Sequence, residues 1–485
     1  MIRWNFAEKL TPSILRRFLG MLDSITRPVD PETREFLDRR WETLPEHIKT
    51  DAQVLGRHAV GCEGTHGVFP KCNFSCTPCY HSREANQVRT DGKHSVREIA
   101  QQMSFLRKVR GPHAHAQLIG GEVSLLDPDD HAEAILEMRA QGREPMSFTH
   151  GDFDYEYLEK LVVDKSGRTR LKRISFAGHF DTTMRGRRGI RTTADERQLN
   201  SHRQVFAQMF ARLKKEHGTR YYLAHNMTVT PANVAQIPDV IRDNRKAGYN
   251  MFSFQPAAYV GNEKRWREDF RSIGADEVWE LMEAGAGSKL VYQMIQTGDE
   301  RCNRTAFGFY LGDNWFPVFE PSEPKDHVAR DAFYRYLGGV YFNAPIWLLT
   351  IRFGRVAITN PIVIRFGLSW LFRTIKRVGG PGALIGKKIV PMTFVMHRFM
   401  DAADVKVAWD LMGKGIQSTD PRIKETQERL ASCFYAMAHP ETNEVVPACV
   451  QHSVLDPAEN VVLSQLLPLP KRRRQEPEVE ANGAR

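Results

Sequence analysis

Long uninterrupted apolar runs are missing from this sequence. The first thirty residues are broken by Arg3, Glu8, Lys9, Arg16 and Arg17, and arginines punctuate the apolar stretch from 340 to 376. No run there reaches the ~18 uncharged residues that crossing a bilayer requires, so neither a signal peptide nor a transmembrane helix is expected. Cysteine is scarce too. Seven cysteines in 485 residues, an odd number with three crowded into one loop, exclude a disulfide framework and point to a reducing, cytoplasmic setting. A hydrophobic content of 41% excludes a disordered chain and suffices for one large domain with additions. The net charge of +10 would suit an anionic membrane surface or a nucleic acid, but a solvated basic face is the commoner origin of such a surplus.

What is present is concentrated at residues 71–82, KCNFSCTPCYHS, with Cys72, Cys76 and Cys79 spaced C-x3-C-x2-C. Three thiolates so close can converge on one metal centre if the loop wraps around it, and on a four-iron cluster they leave one iron unclaimed and open to chemistry. A structural zinc loop, with His81 or a remote cysteine as fourth ligand, is the other reading of the same residues.

From about 67 to 256 short apolar runs alternate with helical ones. Val68 and Phe69 lead into the cysteine loop, and Ser95 with Glu98 reads as a capping box opening a helix to about Arg110. Strands are expected at 114–119, 146–148, 171–176, 221–229 and 251–255, with helices at 128–140, 155–163, 193–215 and 230–248 between them. Six strand-helix repeats predict an α/β fold, a parallel sheet in the manner of a partial (β/α)6 barrel, with functional groups at the carboxyl ends of the strands. Gly120, Gly121 and Glu122 end the second long strand: two glycines let the backbone approach a ligand closely, and a carboxylate beside them can pair with an ammonium group. Thr149, Ser175, Asn226 and Gln255 fall at or near later strand ends, where a charged cofactor needs polar partners. His179 and Asp181 follow the fourth strand, and Arg185, Arg187, Arg188 and Arg191 form a basic loop.

The cysteine spacing followed one helix later by Gly-Gly-Glu resembles the radical SAM superfamily. The resemblance implies that Cys72, Cys76 and Cys79 hold a 4Fe-4S cluster and that the open iron chelates S-adenosylmethionine, whose methionyl amine is received by Gly120, Gly121 and Glu122. It implies reductive cleavage to a 5'-deoxyadenosyl radical that removes a substrate hydrogen, and a reductant such as flavodoxin or ferredoxin. Where that family often has an aromatic before the third cysteine, this chain has Pro78, with Tyr80 after.

Flanking this core at 61–300 are a helical preface at 1–60 and an accessory region at 301–465. In the preface, Thr11 and Pro12 open a helix whose stripe of Ile14, Leu15, Phe18, Leu19 and Leu22 is expected to dock on its own protein. In the accessory region, Cys433 and Cys449 bracket a hairpin turn at Thr442–Asn443; with Cys302, and Cys62 or His452, they are candidates for an auxiliary iron-sulfur cluster, buried free thiols being the alternative. The arginine-punctuated apolar segment suits a helix in a membrane interface or a greasy substrate doorway, or an ordinary amphipathic helix packed on the barrel. MetHisArgPheMetAsp at 396–401, Cys433 and ValProAlaCys at 446–449 resemble the C-terminal portion of tetraether lipid synthase-like radical SAM proteins, which act on saturated lipid tails; several extra cysteines of that group are missing here. Residues 466–485 read as a disordered tail. The expected activity is hydrogen abstraction from an apolar, lipid substrate by a peripherally membrane-associated enzyme. The rivals are a peptide-modifying radical SAM enzyme and a zinc-stabilised nucleic-acid-binding protein.

Overall fold

The computed structural model describes residues 13–80, 84–259, 270 and 272–470. Thr11, Pro12, His81 and the tail from 471 lie outside the described residues. Two helices come first, α1 (Ser13–Thr26) and α2 (Pro31–Glu42). Six parallel strands then lie side by side in chain order: β1 (Cys62–Gly64), β2 (Ala114–Leu118), β3 (Arg143–Thr149), β4 (Arg173–His179), β5 (Arg220–Val229) and β6 (Met251–Pro256). They are joined through α3 (Gly92–Arg110), α4 (Pro128–Ala140), α5 (Tyr155–Val162), α6 (Asn200–His217) and α7 (Ile237–Asn244), and α8 (Ala275–Ala286) follows β6. Each step goes to the next neighbour, and parallel crossovers are right-handed, so the helices fall on one face of the sheet. Consecutive helices from α3 to α8 indeed pack on one another.

The C-terminal third does not form a separate layer. After the hairpin β7 (Asn303–Leu311) and β8 (Asn314–Pro317), helices α9 (Pro324–Leu337), α10 (Ile346–Thr359) and α11 (Ile362–Arg377) lead to β9 (Ile389–His397), which pairs in parallel with β6. Helices α12 (Ala402–Gly413) and α13 (Pro421–Ala431) lead to β10 (Tyr435–His439), parallel to β1, and β11 (Glu444–Pro447). The open sheet therefore runs β11-β10-β1-β2-β3-β4-β5-β6-β9-β7-β8, with eight parallel strands where six repeats were expected. The expected hairpin turn is there, with Asn443 at φ 58. The first strand is Cys62–Gly64, not the Val68–Phe69 run: three residues carry no periodicity, and only pairing to β2 and β10 makes them a strand.

Alternation assigns the two faces of the sheet. Ala116, Leu118, Ile174, Phe176, Leu223, Met227, Phe252 and Phe254 are buried in the main core with helix residues such as Phe206, Phe210 and Ile241. The intervening positions, among them Cys62, Gln117, Ser175, His179, Asn226 and Gln255, therefore face the lumen. On the helix side Glu63 is fully buried, its carboxylate accepting from Arg143 Nε (2.9 Å), Arg143 Nη2 (3.1 Å) and Arg110 Nε (3.1 Å).

Two terminal expectations change. Helix α1 has no buried residue, and Ile14, Leu15, Phe18, Leu19 and Leu22 are exposed rather than docked. The cap of α3 is Asp91, which accepts from His94 N; Ser95 instead hydrogen-bonds the Val68 carbonyl and so ties the helix to the segment entering the cysteine loop.

Candidate functional site

The cysteine loop leaves β1 at its carboxyl end and is fastened from three sides. Cys72 N–H donates to Asn86 Oδ1 (2.9 Å), Ser75 N–H to the Arg185 carbonyl (2.9 Å) and Thr77 N–H to the Thr183 carbonyl (3.1 Å). Phe74 is buried and stacks on His150 with ring centroids 3.9 Å apart, while Asn73 Oδ1 lies 2.8 Å from His150 Nε2. The basic loop is divided: Arg187 is buried in this scaffold, while Arg188 and Arg191 are exposed. Arg187 is buried over the rings of Phe74 and Phe180 and donates to the carbonyls of His150 and His179, and Arg188 pairs with Asp152 and Asp154.

Gly120, Gly121 and Glu122 lie directly against the entry to that loop. Gly121 N–H donates to the Phe69 carbonyl (2.8 Å) and Glu122 N–H to the Lys71 carbonyl (3.0 Å). A Cβ on Gly121 would stand 2.1 Å from the Lys71 carbonyl oxygen, and one on Gly120 2.5 Å from the Phe69 ring. Close approach of two backbones, not an unusual φ, is what requires glycine here.

The Glu122 carboxylate is 1% exposed and well supplied with donors. Its Oε1 accepts from Ser124 N (3.0 Å), Ser124 Oγ (2.6 Å) and Thr149 Oγ1 (2.6 Å), and its Oε2 from His150 N (2.8 Å). Glu122 thus ties the end of β2 to the end of β3. Thr149 spends its hydroxyl on that link and on accepting from Gly151 N (2.9 Å), which differs from the expected direct role toward a cofactor.

Further round the rim, register places His179, Asn226 and Ser253 in one row across β4, β5 and β6, with Thr228 and Gln255 in another. Ser175 pairs with Tyr222 and sits mid-strand, because β4 runs on to His179, three residues past the expected end. His179 Nε2 contacts Asp181 Oδ2 (2.5 Å) and Thr228 Oγ1 (3.1 Å). Burial pushes the Asp181 carboxyl up, but His179 and hydrogen bonds from Thr183 and Thr228 hold it down to about 2. His150, Thr228, Asn73 and Asn86 were missed in the sequence; a polar residue directly after a strand was the one signal available for His150.

The three thiols share one environment. Cys72 is pushed up to about 12 by burial, with Glu122 and Cys79 adding to the effect, and Cys76 is raised by burial and then by Cys79, Asp181 and Cys72. Among the described residues no three cysteines bring their sulfurs within 4.8 Å of one another.

A second group of thiols gathers from distant sequence. Burial raises all three thiols, Cys302, Cys433 and Cys449; Cys433 adds to the rise at Cys302, and Cys433 and Cys302 both add to the rise at Cys449. Arg429 Nε donates to Cys302 Sγ (3.0 Å), and Arg40 donates to the Cys433 carbonyl (2.9 Å). Two buried guanidinium nitrogens there, Arg429 Nη2 and Arg40 Nε, have no hydrogen-bond partner. Cys62 hydrogen-bonds through its N–H to the Phe434 carbonyl (2.8 Å) and joins the same apolar cluster as Cys433 and Cys449, together with Tyr80 from the cysteine loop.

No family model and no curated protein matches the chain. Among solved structures it is similar to Streptococcus suis SuiB bound to S-adenosylmethionine, at 12% identity over 46% of this chain and 46% of that one with a TM-score of 0.32. It is also similar to native anSMEcpe with bound AdoMet, at 13% identity over 46% of this chain and 58% of that one with a TM-score of 0.31. The chain spans about half the length of these solved structures.

Proposed function

We propose that the chain is a radical SAM enzyme that removes hydrogen from an aliphatic, lipid substrate. The observation that carries this reading is the joining of the Cys72–Cys76–Cys79 loop to the Gly120–Gly121–Glu122 turn by two backbone hydrogen bonds at the carboxyl ends of β1 and β2. Cys72, Cys76 and Cys79 would hold a 4Fe-4S cluster, and the rim of the lumen would hold S-adenosylmethionine. What the pair supplies when bound is a radical strong enough to take hydrogen from an unactivated C–H bond.

The chain's own residues bind, orient and shield. Asn226, Gln255 and His179 offer polar groups to a charged cofactor on the lumen face, and Asp181, held ionised, fixes His179. Glu122 keeps the backbone of its turn in place through Ser124, Thr149 and His150. Lipid is favoured by an apolar cavity of about 720 Å³ at the amino-terminal ends of β1 and β2. A flavodoxin- or ferredoxin-type protein would serve as reductant.

We further assign Cys302, Cys433 and Cys449 to an auxiliary cluster. The support is the gathering of three buried thiols beside two guanidinium groups that each keep one buried nitrogen without a hydrogen-bond partner, Arg429 Nη2 in spite of its ion pair with Glu425 and Arg40 Nε, since buried donors are normally satisfied. Cys433→Ala should lower bound iron while sparing deoxyadenosine formation; loss of both in a folded protein would merge the two centres into one.

Anaerobic reconstitution tests the whole reading. A brown protein with about four irons per cluster and formation of deoxyadenosine supports it, whereas a colourless protein with stoichiometric zinc overturns it. Turnover of a peptide in place of lipid would retain the chemistry and replace the substrate. Gly121→Ala should cut deoxyadenosine formation about 100-fold, because displacing the loop by an ångström misplaces the reacting groups. Far-ultraviolet circular dichroism should show the fold retained.

A further inference from the structure

Residues 332–400 contain no aspartate or glutamate and ten lysines and arginines, so this one stretch accounts for the whole surplus of +10 over the chain. It includes α10 and α11, which meet at 114°; no single helix among the described residues is long and apolar enough to cross a membrane. Four of its arginines fasten these helices to the body. Arg355 pairs with Asp23 (2.7 Å) and Arg352 donates to the Ile25 carbonyl (3.4 Å), joining α10 to α1, while Arg373 and Arg377 pair with Asp326 on α9.

The outward faces are apolar and basic together. Ile346 is 83% exposed, Ile358 81% and Phe372 68%, and Ile14 and Phe18 of α1 are exposed as well. Arg365, Lys376, Lys387 and Lys388 are exposed among them. Such a surface fits an anionic bilayer, where apolar groups enter the headgroup boundary and each cation near the surface gains attraction. Exposed patches of this kind are uncommon on proteins that meet only water.

Helix α11 is also a wall of the apolar cavity. Its inner face supplies Val363, Phe366 and Trp370, α9 adds Phe333, and Cys62 and His115 line the same cavity from β1 and β2. One helix therefore separates the cavity from the exposed basic and apolar face. From His115 to Gly120 is about 17 Å along an extended strand, close to the roughly 15 Å of one leaflet's hydrocarbon.

We propose that α1, α10 and α11 dock on an anionic membrane and that one acyl tail of a phospholipid passes behind α11 into the barrel from its amino-terminal end, leaving the headgroup at the membrane. The tail's distal half then lies toward the cysteine loop, so the hydrogen removed comes from the distal rather than the carboxyl-proximal half. This deepens the lipid reading of the proposed function and rests on it for the chemistry alone; docking and tail uptake are measurable without turnover.

The test uses the full chain, vesicles of phosphatidylcholine with and without phosphatidylglycerol, and a phosphatidylglycerol carrying a diazirine at the tail end. Wild type should float with the anionic vesicles at least tenfold better than with the neutral ones and should crosslink at residues lining the cavity. Ile346→Glu with Ile358→Glu and Phe372→Glu should abolish flotation while leaving iron content and deoxyadenosine formation unchanged. Gly367→Trp, whose side chain would enter open space beside the cavity, should keep flotation and lose crosslinking. Equal flotation with both vesicles, crosslinks confined to the loops at the carboxyl ends, or a lipid-free dimer that the three glutamates dissociate would each overturn the proposal. Failure of iron loading or of deoxyadenosine formation in wild type would instead remove the proposed function.

Discussion

Simultaneous replacement of Cys72, Cys76 and Cys79 by alanine is expected to abolish deoxyadenosine formation and remove about four irons per chain. The loop's anchors are backbone groups and neighbouring side chains: Cys72 N–H to Asn86, Ser75 N–H to Arg185, Thr77 N–H to Thr183, and the Phe74 ring on His150. None of these uses a thiol as its essential partner, so the triple variant should remain folded. Thermal unfolding within a few degrees of apo wild type, alongside absent iron absorbance and no product, is the expected combination. Retained deoxyadenosine formation would remove the site from the reaction.

Glu63→Ala should cost about 3–5 kcal/mol, the largest stability loss of any single change considered, because it leaves two guanidinium groups uncompensated inside the protein. Arg143 and Glu63 are both fully buried, and Arg110 is largely so. Against a typical stability of about 5–15 kcal/mol this is a large fraction. The effect would reach the site, since Glu63 lies on the strand that feeds the cysteine loop. Urea denaturation of the metal-free protein measures it. A loss under about 1 kcal/mol would mean that water reaches the arginines and that the strand is held by its neighbours alone.

Much of the site was legible because its signals are local. Three cysteines within eight residues, and Gly-Gly-Glu closing a strand, need no tertiary knowledge to be noticed. Asn226 and Gln255 followed from strand periodicity and lie on the lumen face. Ser175 missed the rim because β4 continues through Ala177 and Gly178, two small residues that carry no apolar signal. The arginine loop was unreadable for another reason: charge runs are usually solvated, and only the neighbouring Phe74 and Phe180 rings make a dry place for Arg187.

By itself the sequence determined the alternating α/β order from α3 to β6, the cysteine trio and its glycine turn, because hydrophobic period and ligand spacing are properties of adjacent residues. Only the tertiary structure decided that β9 and β10 complete the parallel sheet, that Cys302, Cys433 and Cys449 share one buried patch, and that Glu122 binds Thr149 and His150. It likewise decided that α1 leaves its apolar stripe in solvent. Pairing across hundreds of residues is chosen by which edges, charges and cavities remain unfilled once the local elements have formed, and that competition leaves no mark in any short window of sequence.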